Sequence, residues 1–329
     1  MSRAQLTSTV EQNTGGAVAP FVAGKNFLIN GGFDIWQRGT SSTTNLAYNT
    51  ADRWLMYYNT LTTTFSQETS VVPTGSRYSL KVTQATANSY ITINQAIETA
   101  NAIQLAGKTV TFSSSIQATV STSVVVTVSY STSTDVGVTG SWTAITPNSG
   151  GSITANTSWQ QLIGTYNIPS TAKSILVNYY VPTLTVGNSV YFAQAQLEVG
   201  SVATPFSRAG ATLQGELALC QRYLPAITNV QSSSNNTDSF NGYAYQTNGV
   251  LYSIPFSVPA RVPPTGITLS GTFSGYGLNT PYTITPLFNA ATNNVATVYA
   301  STGITITAGQ GSRLGILGGS SILFTGCEL

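Results

Sequence analysis

Ten carboxylates and no histidine define the chemistry open to this 329-residue chain. Without imidazole, His-dependent triads, most zinc sites and the commonest general base are excluded. What remains for hydrolysis is a carboxylate pair, which cleaves glycosidic bonds when the two carboxyls stand roughly 5 to 10 Å apart. Asp34 with Asp52 and Glu98 with Glu198 are the pairs to consider. Most of the acids lie in turns or at strand ends, however, and the short-period β-helix of glycan depolymerases is not evident. The chain is read as non-enzymatic, with no catalytic residue, no metal site and no cofactor. Asp135 and Asp238 sit in Asn/Ser/Gly-rich stretches, but neither has calcium-loop spacing, and both read as solvated turn residues.

Aromatic stacking combined with amide hydrogen bonding is the second chemistry on offer. In "NNTDSFNGYAYQTNG", read as a loop, Phe240, Tyr243 and Tyr245 stand among Asn, Gln and Ser. Tyr276 and Tyr282 in "SGYGLNTPYTI" have similar surroundings. Such a mixture suits a binding surface for glycan or protein, because rings pack on the apolar faces of sugars while amides take the hydroxyls. The competing reading places these rings in the core of a small domain. Trp36 and Trp54 could serve as sugar-stacking platforms but read as core or sheet-covering residues, and the Asp52–Arg53 pair reads as a pin at a strand entry. Cys220 and Cys327 lie far apart beside apolar residues and read as buried free thiols.

The elements carrying these residues are strands. From Phe27 to about Ser207 the period is two: Val110, Phe112 and Ile116 share one face, as do Val124, Val126, Val128 and Tyr130. Turn signals such as "NGG" and "PNSGG" punctuate eight or nine short strands, with no helix long enough for a parallel crossover, which predicts an antiparallel sandwich. From about Thr228 some six further strands form a smaller β-domain. Between them Leu213, Leu217, Cys220 and Leu224 recur at helical spacing, from a Thr212 cap to a stop at Pro225. The expected organisation is an arm at 1–26, a sandwich at 27–207, a linking helix at 208–226 and a second all-β domain at 227–329.

Charge narrows the partners. Only 7% of residues are charged and the formal net charge is +2, with no basic stripe for nucleic acid. No apolar run is long enough to span a membrane, and no secretory signal is seen, so synthesis in the cytosol without membrane insertion is expected.

Several segments are specific enough to carry a resemblance: "NFLINGGFDIWQRGTS", "YNTADRWLM", "LAGKTVTFSSSIQA", and "AQLEVGSVATPFSR" followed by "GELALCQRYL". Together they resemble the signatures of bacteriophage tail-fibre and related virion-attached receptor-binding proteins. The C-terminal part matches only through "FSVPARVPPTGITLSG" and "CEL", with Ala260–Arg261 where relatives tend to have Met-Arg. The resemblance implies an N-terminal jelly roll similar to carbohydrate-binding modules, a short helix and a C-terminal β-domain. It also implies a homotrimer located on the virion, docked through its N-terminal arm to a tail or capsid protein and binding a host-surface glycan or protein. A short tail fibre is the favoured role; a capsid-bound head fibre or decoration protein and a glycan-cleaving tailspike are the alternatives. Leu213, Leu217, Cys220 and Leu224 are expected to pack around a three-fold axis or into the base of the C-terminal domain.

Overall fold

The computed structural model describes residues 24–59, 62–86, 90–182, 184–229, 238–277, 280–301 and 305–329. Most of the expected docking arm, including the short helix near Leu6–Val10, lies outside the described residues. The described chain groups into two units. One holds the residues up to Asp34, then Ser41–Ala47 and Leu55–Glu216; the other holds Ile35–Thr40, Tyr48–Trp54 and Leu217–Leu329. The sequence reading gave 27–207 to one domain, whereas two short segments from its start belong with the second unit.

The first unit contains β1 (Ser41–Ser42), β2 (Leu55–Tyr58), β3 (Thr63–Glu68), β4 (Ser79–Gln84), β5 (Ile91–Ile97) and the one-turn helix α1 (Thr99–Ala102). There follow β6 (Thr109–Ala118), β7 (Thr122–Ser131), β8 (Thr143–Ile145), β9 (Ser149–Gly150), β10 (Ser152–Ala155), β11 (Gln160–Asn167), β12 (Ser174–Val181) and β13 (Ser189–Val199). Seven strands form one antiparallel sheet in the order β1-β3-β4-β13-β6-β11-β9; β10-β7-β12-β5-β2, with β8 beside β7, form the other. Alternating apolar residues of both sheets meet in one core. Tyr179 of β12 packs against Phe112 and Phe192, with ring centroids 5.4 and 4.8 Å away, and its hydroxyl meets the Ser114 Oγ at 2.6 Å. Tyr166 of β11 likewise donates to the Val126 carbonyl at 2.8 Å. Burial raises the pKa of both phenols, that of Tyr166 to about 12. The expected antiparallel sandwich of jelly-roll type is what the first unit forms, with more and shorter strands than the periodicity separates.

A bulge shifts the register of β13 between Ala193 and Gln196, with Gln194 at φ 56°. It turns Ala195 toward the chain's beginning, where the Ala195 N–H donates to the Gly31 carbonyl at 2.8 Å. A Cβ on Gly31 would stand 2.0 Å from the Ala195 oxygen. The first glycine of "NGG" is thus fixed by close backbone approach.

Helix α2 (Leu213–Gln221) spans the boundary between the units. Thr212 caps it: its Oγ1 accepts from Gly215 N at 3.1 Å and its carbonyl from Glu216 N at 2.9 Å.

The second unit holds β14 (Ala226–Thr228), β15 (Asp238–Gln246), β16 (Gly249–Pro255), β17 (Gly266–Ser270) and β18 (Phe273–Gly277). It continues with β19 (Thr280–Ile284), β20 (Leu287–Ala291), β21 (Val295–Ser301), β22 (Gly311–Ile316) and β23 (Ser321–Thr325). A three-stranded sheet runs β14-β23-β17, and a seven-stranded sheet runs β19-β18-β22-β15-β16-β21-β20. Val250, Tyr252, Ile254, Phe273, Leu314 and Phe324 are part of its buried core. Among the described residues ten strands replace the expected six, in part because Pro286 and Gly271 each divide a run that reads as continuous and in part because β15 and β22 fall outside the expected runs. The expected loop "NNTDSFNGYAYQTNG" is corrected as well: from Asp238 to Gln246 it is a central strand. Phe240, Gly242 and Ala244 alternate inward, a pattern that the surrounding Asn and Ser residues disguise.

Candidate functional site

The segments with the most distinctive sequence are structural. In the first unit, the Asn26 amide donates to the carbonyls of Ala195 and Ser207 at 2.9 and 3.1 Å, and its Oδ1 accepts from the N–H groups of Leu28 and Leu197. Arg208 pairs with Asp34 at 2.7 Å. Glu216 accepts from the N–H groups of Asn30 and Gly210, and burial raises its pKa against those bonds. In the second unit, Arg38 and Arg53 converge on Glu328, Gln37 bonds to Asp52, and the Tyr48 hydroxyl donates to the Leu329 carbonyl at 2.6 Å.

Those bonds occupy the acids considered for hydrolysis. Asp34 and Asp52 are held as described, and Glu198 accepts from Gln196 Nε2, Thr204 N and Thr204 Oγ1 at 2.6–2.8 Å. Glu98 sits at the start of α1 and accepts from Asn101 at 3.4 Å. Asp135, at φ 49°, exchanges two hydrogen bonds with Thr99 at 2.8–2.9 Å. Trp54 is fully buried and Trp36 half-buried. Both cysteines are free and buried; burial lifts the Cys327 thiol to about 11, far from a reactive thiolate.

The five aromatic candidates of the second unit divide between two faces of its seven-stranded sheet. Phe240 and Tyr282 turn inward and pack on the core; the Tyr282 ring covers Gly275, whose added Cβ would meet it at 2.3 Å. Tyr243 and Tyr245 point outward, 53% and 44% exposed. Tyr276 lies on the same outer face, under the Arg313 guanidinium at 4.6 Å. Tyr299, which the sequence reading passed over, completes this set with its ring 5.7 Å from that of Tyr245. Of the four residues expected on the helix, Cys220 is fully buried, Leu217 is half-buried and Leu213 is 37% exposed, while Leu224, also fully buried, lies beyond the helix end at Gln221, four residues short of the expected stop at Pro225.

A second aromatic surface, also missed in sequence, lies on the outer face of the first unit's six-stranded sheet. Register aligns Tyr57, Thr92, Tyr180 and Val125 across β2, β5, β12 and β7. Tyr90, just before β5, bridges the row, with ring centroids 5.8 Å from Tyr57 and 5.4 Å from Tyr180. Hydrogen bonding to Tyr90 and partial burial hold the Tyr57 pKa above the usual phenol value. The next row is Leu55, Asn94, Asn178 and Thr127. Asn94 is fixed by donating to Leu55 O at 3.2 Å and Thr92 Oγ1 at 2.9 Å. It accepts from Asn178, which accepts in turn from Thr127 at 3.4 Å. These bonds leave the half-exposed Asn178 with one amide N–H and a carbonyl lone pair for a ligand. None of these nine residues is charged. Its sequence signal is faint, because the tyrosines and amides come from strands far apart in the chain.

Fold and surface together define an all-β protein whose first unit is a jelly-roll sandwich with a tyrosine–amide sheet face. No protein-family model and no curated protein matches the sequence. Solved structures similar to about half of the chain include a CBM4 protein, with TM-score 0.34 and 18% identity over 52% of this chain and 98% of that one. A putative sugar binding protein from Bacteroides thetaiotaomicron aligns with TM-score 0.37 and 15% identity over 53% and 100% of the two chains. The enzymatically active domain of bacteriophage CBA120 tailspike protein 4 aligns with TM-score 0.37 and 11% identity, over 54% of this chain and 22% of that one.

Proposed function

We propose that this protein is a non-catalytic glycan-binding protein that holds a neutral oligosaccharide on the outer face of the first unit's six-stranded sheet. The observation that carries the reading is the Tyr57–Tyr90–Tyr180 cluster beside the Asn94–Asn178 pair. Successive residues on one face of a strand are about 6.6 Å apart, so a sugar ring lying on a tyrosine reaches the amide row with its hydroxyls. The rings supply apolar contact at low entropic cost, and the prearranged amides supply directional bonds. An uncharged face suits a neutral ligand, which has no charge to leave unpaired.

The setting we propose is a bacteriophage virion, where the protein acts as a short, homotrimeric tail fibre attaching the particle to host-surface glycan. The sequence signatures support this setting, and immunogold localisation tests it: label confined to capsid faces would contradict a tail position. Binding is tested by saturation-transfer NMR with neutral oligosaccharides released from the host surface. Transfer to the sugar protons should be seen with the wild type and vanish in Asn178→Ala and Tyr180→Ala variants of unchanged melting temperature. Equal transfer in both variants would contradict the assignment, and release of new reducing ends by the wild-type protein would contradict a non-catalytic role.

A further inference from the structure

The outer face of the second unit's seven-stranded sheet carries a different chemistry. Register places Tyr276, Arg313 and Asn241 in one row across β18, β22 and β15. Gly311, Tyr243, Leu251 and Tyr299 form the next, across β22, β15, β16 and β21. Tyr245, itself exposed, adds a further ring beside Tyr299. Tyr243, Tyr245 and Tyr299 therefore lie to one side of the exposed Arg313, and Tyr276 lies on its other side.

Arg313 is the informative residue. No carboxylate pairs with it among the described residues; its one recorded partner is the Tyr276 ring, 4.6 Å from the guanidinium carbon. Stacking holds the guanidinium plane while leaving its N–H edge for a ligand. Arg38 and Arg53, in the same unit, are both paired with Glu328. Beside Arg313 the strand carries Gly311, and a Cβ built there meets nothing within 4 Å. The result is a notch bounded by Tyr243, Arg313 and the exposed Asn241, open on the solvent side.

We infer that this notch binds the carboxylate of an acidic sugar. The Arg313 fork would take the carboxylate bidentately, Asn241 a neighbouring hydroxyl, and the Tyr243 ring the apolar face of the sugar. Adjacent strands stand about 4.8 Å apart and diagonal neighbours about 7 Å, a span that one pyranose bridges. An apolar protein partner would leave the guanidinium buried without a counter-charge, whereas a uronic or sialic acid satisfies ring and cation together. This inference is independent of the neutral-glycan site on the first unit and fails or stands separately.

Isothermal titration of the full chain with trigalacturonate, trimannuronate and disialic acid, each compared with its methyl ester, tests it. At least one acid should bind about tenfold or more tightly than its ester, the difference expected for a charge-assisted bond. That preference should fall as salt is raised from 20 to about 300 mM, because the site is exposed. Arg313→Gln should remove the preference and Arg313→Lys only reduce it. Gly311→Leu, for which the backbone has room, should block the notch without lowering the melting temperature. Tyr180→Ala should leave acid binding intact. Equal affinity for acid and ester, an unchanged preference in Arg313→Gln, or no binding of any acid at millimolar concentration would overturn the inference.

Discussion

The guanidinium carbon of Arg53 lies 3.6 Å from the centre of the Tyr223 ring, and its Nη1 pairs with Glu328. Arg53 is fully buried and holds φ at 72°, a left-handed conformation that costs a non-glycine residue about 1 kcal/mol or more. Three distant stretches, Tyr48–Trp54, the end of α2 and the C-terminus, meet at this one side chain. Within the second unit it is a clamp, and its strained backbone is held by what the side chain grips.

Arg53→Ala should therefore destabilise the second unit by about 1 to 3 kcal/mol, less than the usual cost of leaving a buried charge alone, because Arg38 still pairs with Glu328. Arg53→Lys should recover little, since an ammonium has no plane to lie on Tyr223. Urea unfolding followed by the fluorescence of buried Trp54 measures both. A loss below about 1 kcal/mol for the alanine variant, the range of surface pairs, would show that the clamp contributes little.

Stability should also depend on pH through Asp52. Burial raises this carboxyl from 3.8 to about 6 despite attraction from Arg38 and bonds from Gln37. Between those two values the folded state holds a proton that the unfolded state has released, so this group makes stability fall as pH rises through the window. Asp52→Asn lacks this titration. The melting temperature of the wild type relative to Asp52→Asn should thus improve as pH drops from about 7 to about 4. A pH-independent difference would contradict the buried, titrating carboxyl.

At Gly215, helix propensity and packing give opposite expectations. Alanine in place of a helical glycine normally stabilises by up to about 1 kcal/mol. Here the new Cβ would stand 2.1 Å from the Gly210 carbonyl oxygen, a contact that only backbone displacement relieves. Gly215→Ala should destabilise the first unit by about 1 to 3 kcal/mol, read as a lower urea midpoint with an unchanged slope. A raised midpoint would mean that the close approach of these two glycines is relaxed in solution.

The fold was legible where local pattern decides it. Alternation in Val124–Val128 and Val110–Ile116 marks strands whose inward side chains are indeed buried, and the spacing of Leu213, Leu217 and Cys220 marks a helix whose Thr212 cap is in place. It was illegible where long-range packing overrides composition. Asn241 and Gly242 argue against a strand, yet the Tyr252 ring lies over Gly242, 2.5 Å from where a Cβ would stand, covering the bare backbone of β15. Two of the five aromatic candidates, Phe240 and Tyr282, face the core; for Phe240 the reason is that reading 235–249 as a loop discards the parity that separates it from Tyr243. The tyrosine–amide face was missed because Tyr57, Tyr90 and Tyr180 become neighbours only through the pairing of β5 with β2 and β12. Asp52 and Arg53 read as a local pin, and the structure extends that pin to the C-terminus.

The central claim is that the first unit's tyrosine–amide face binds neutral glycan. A microarray of neutral and acidic glycans probed in parallel with wild-type protein and the Tyr180→Ala variant tests it most directly. The account predicts that the variant keeps its melting temperature and any acidic-glycan signal while its neutral-glycan signal falls by about tenfold or more, the loss expected for a stacking tyrosine at the centre of a site. An identical neutral-glycan profile for the two proteins, or no neutral-glycan signal from the wild type, would contradict it.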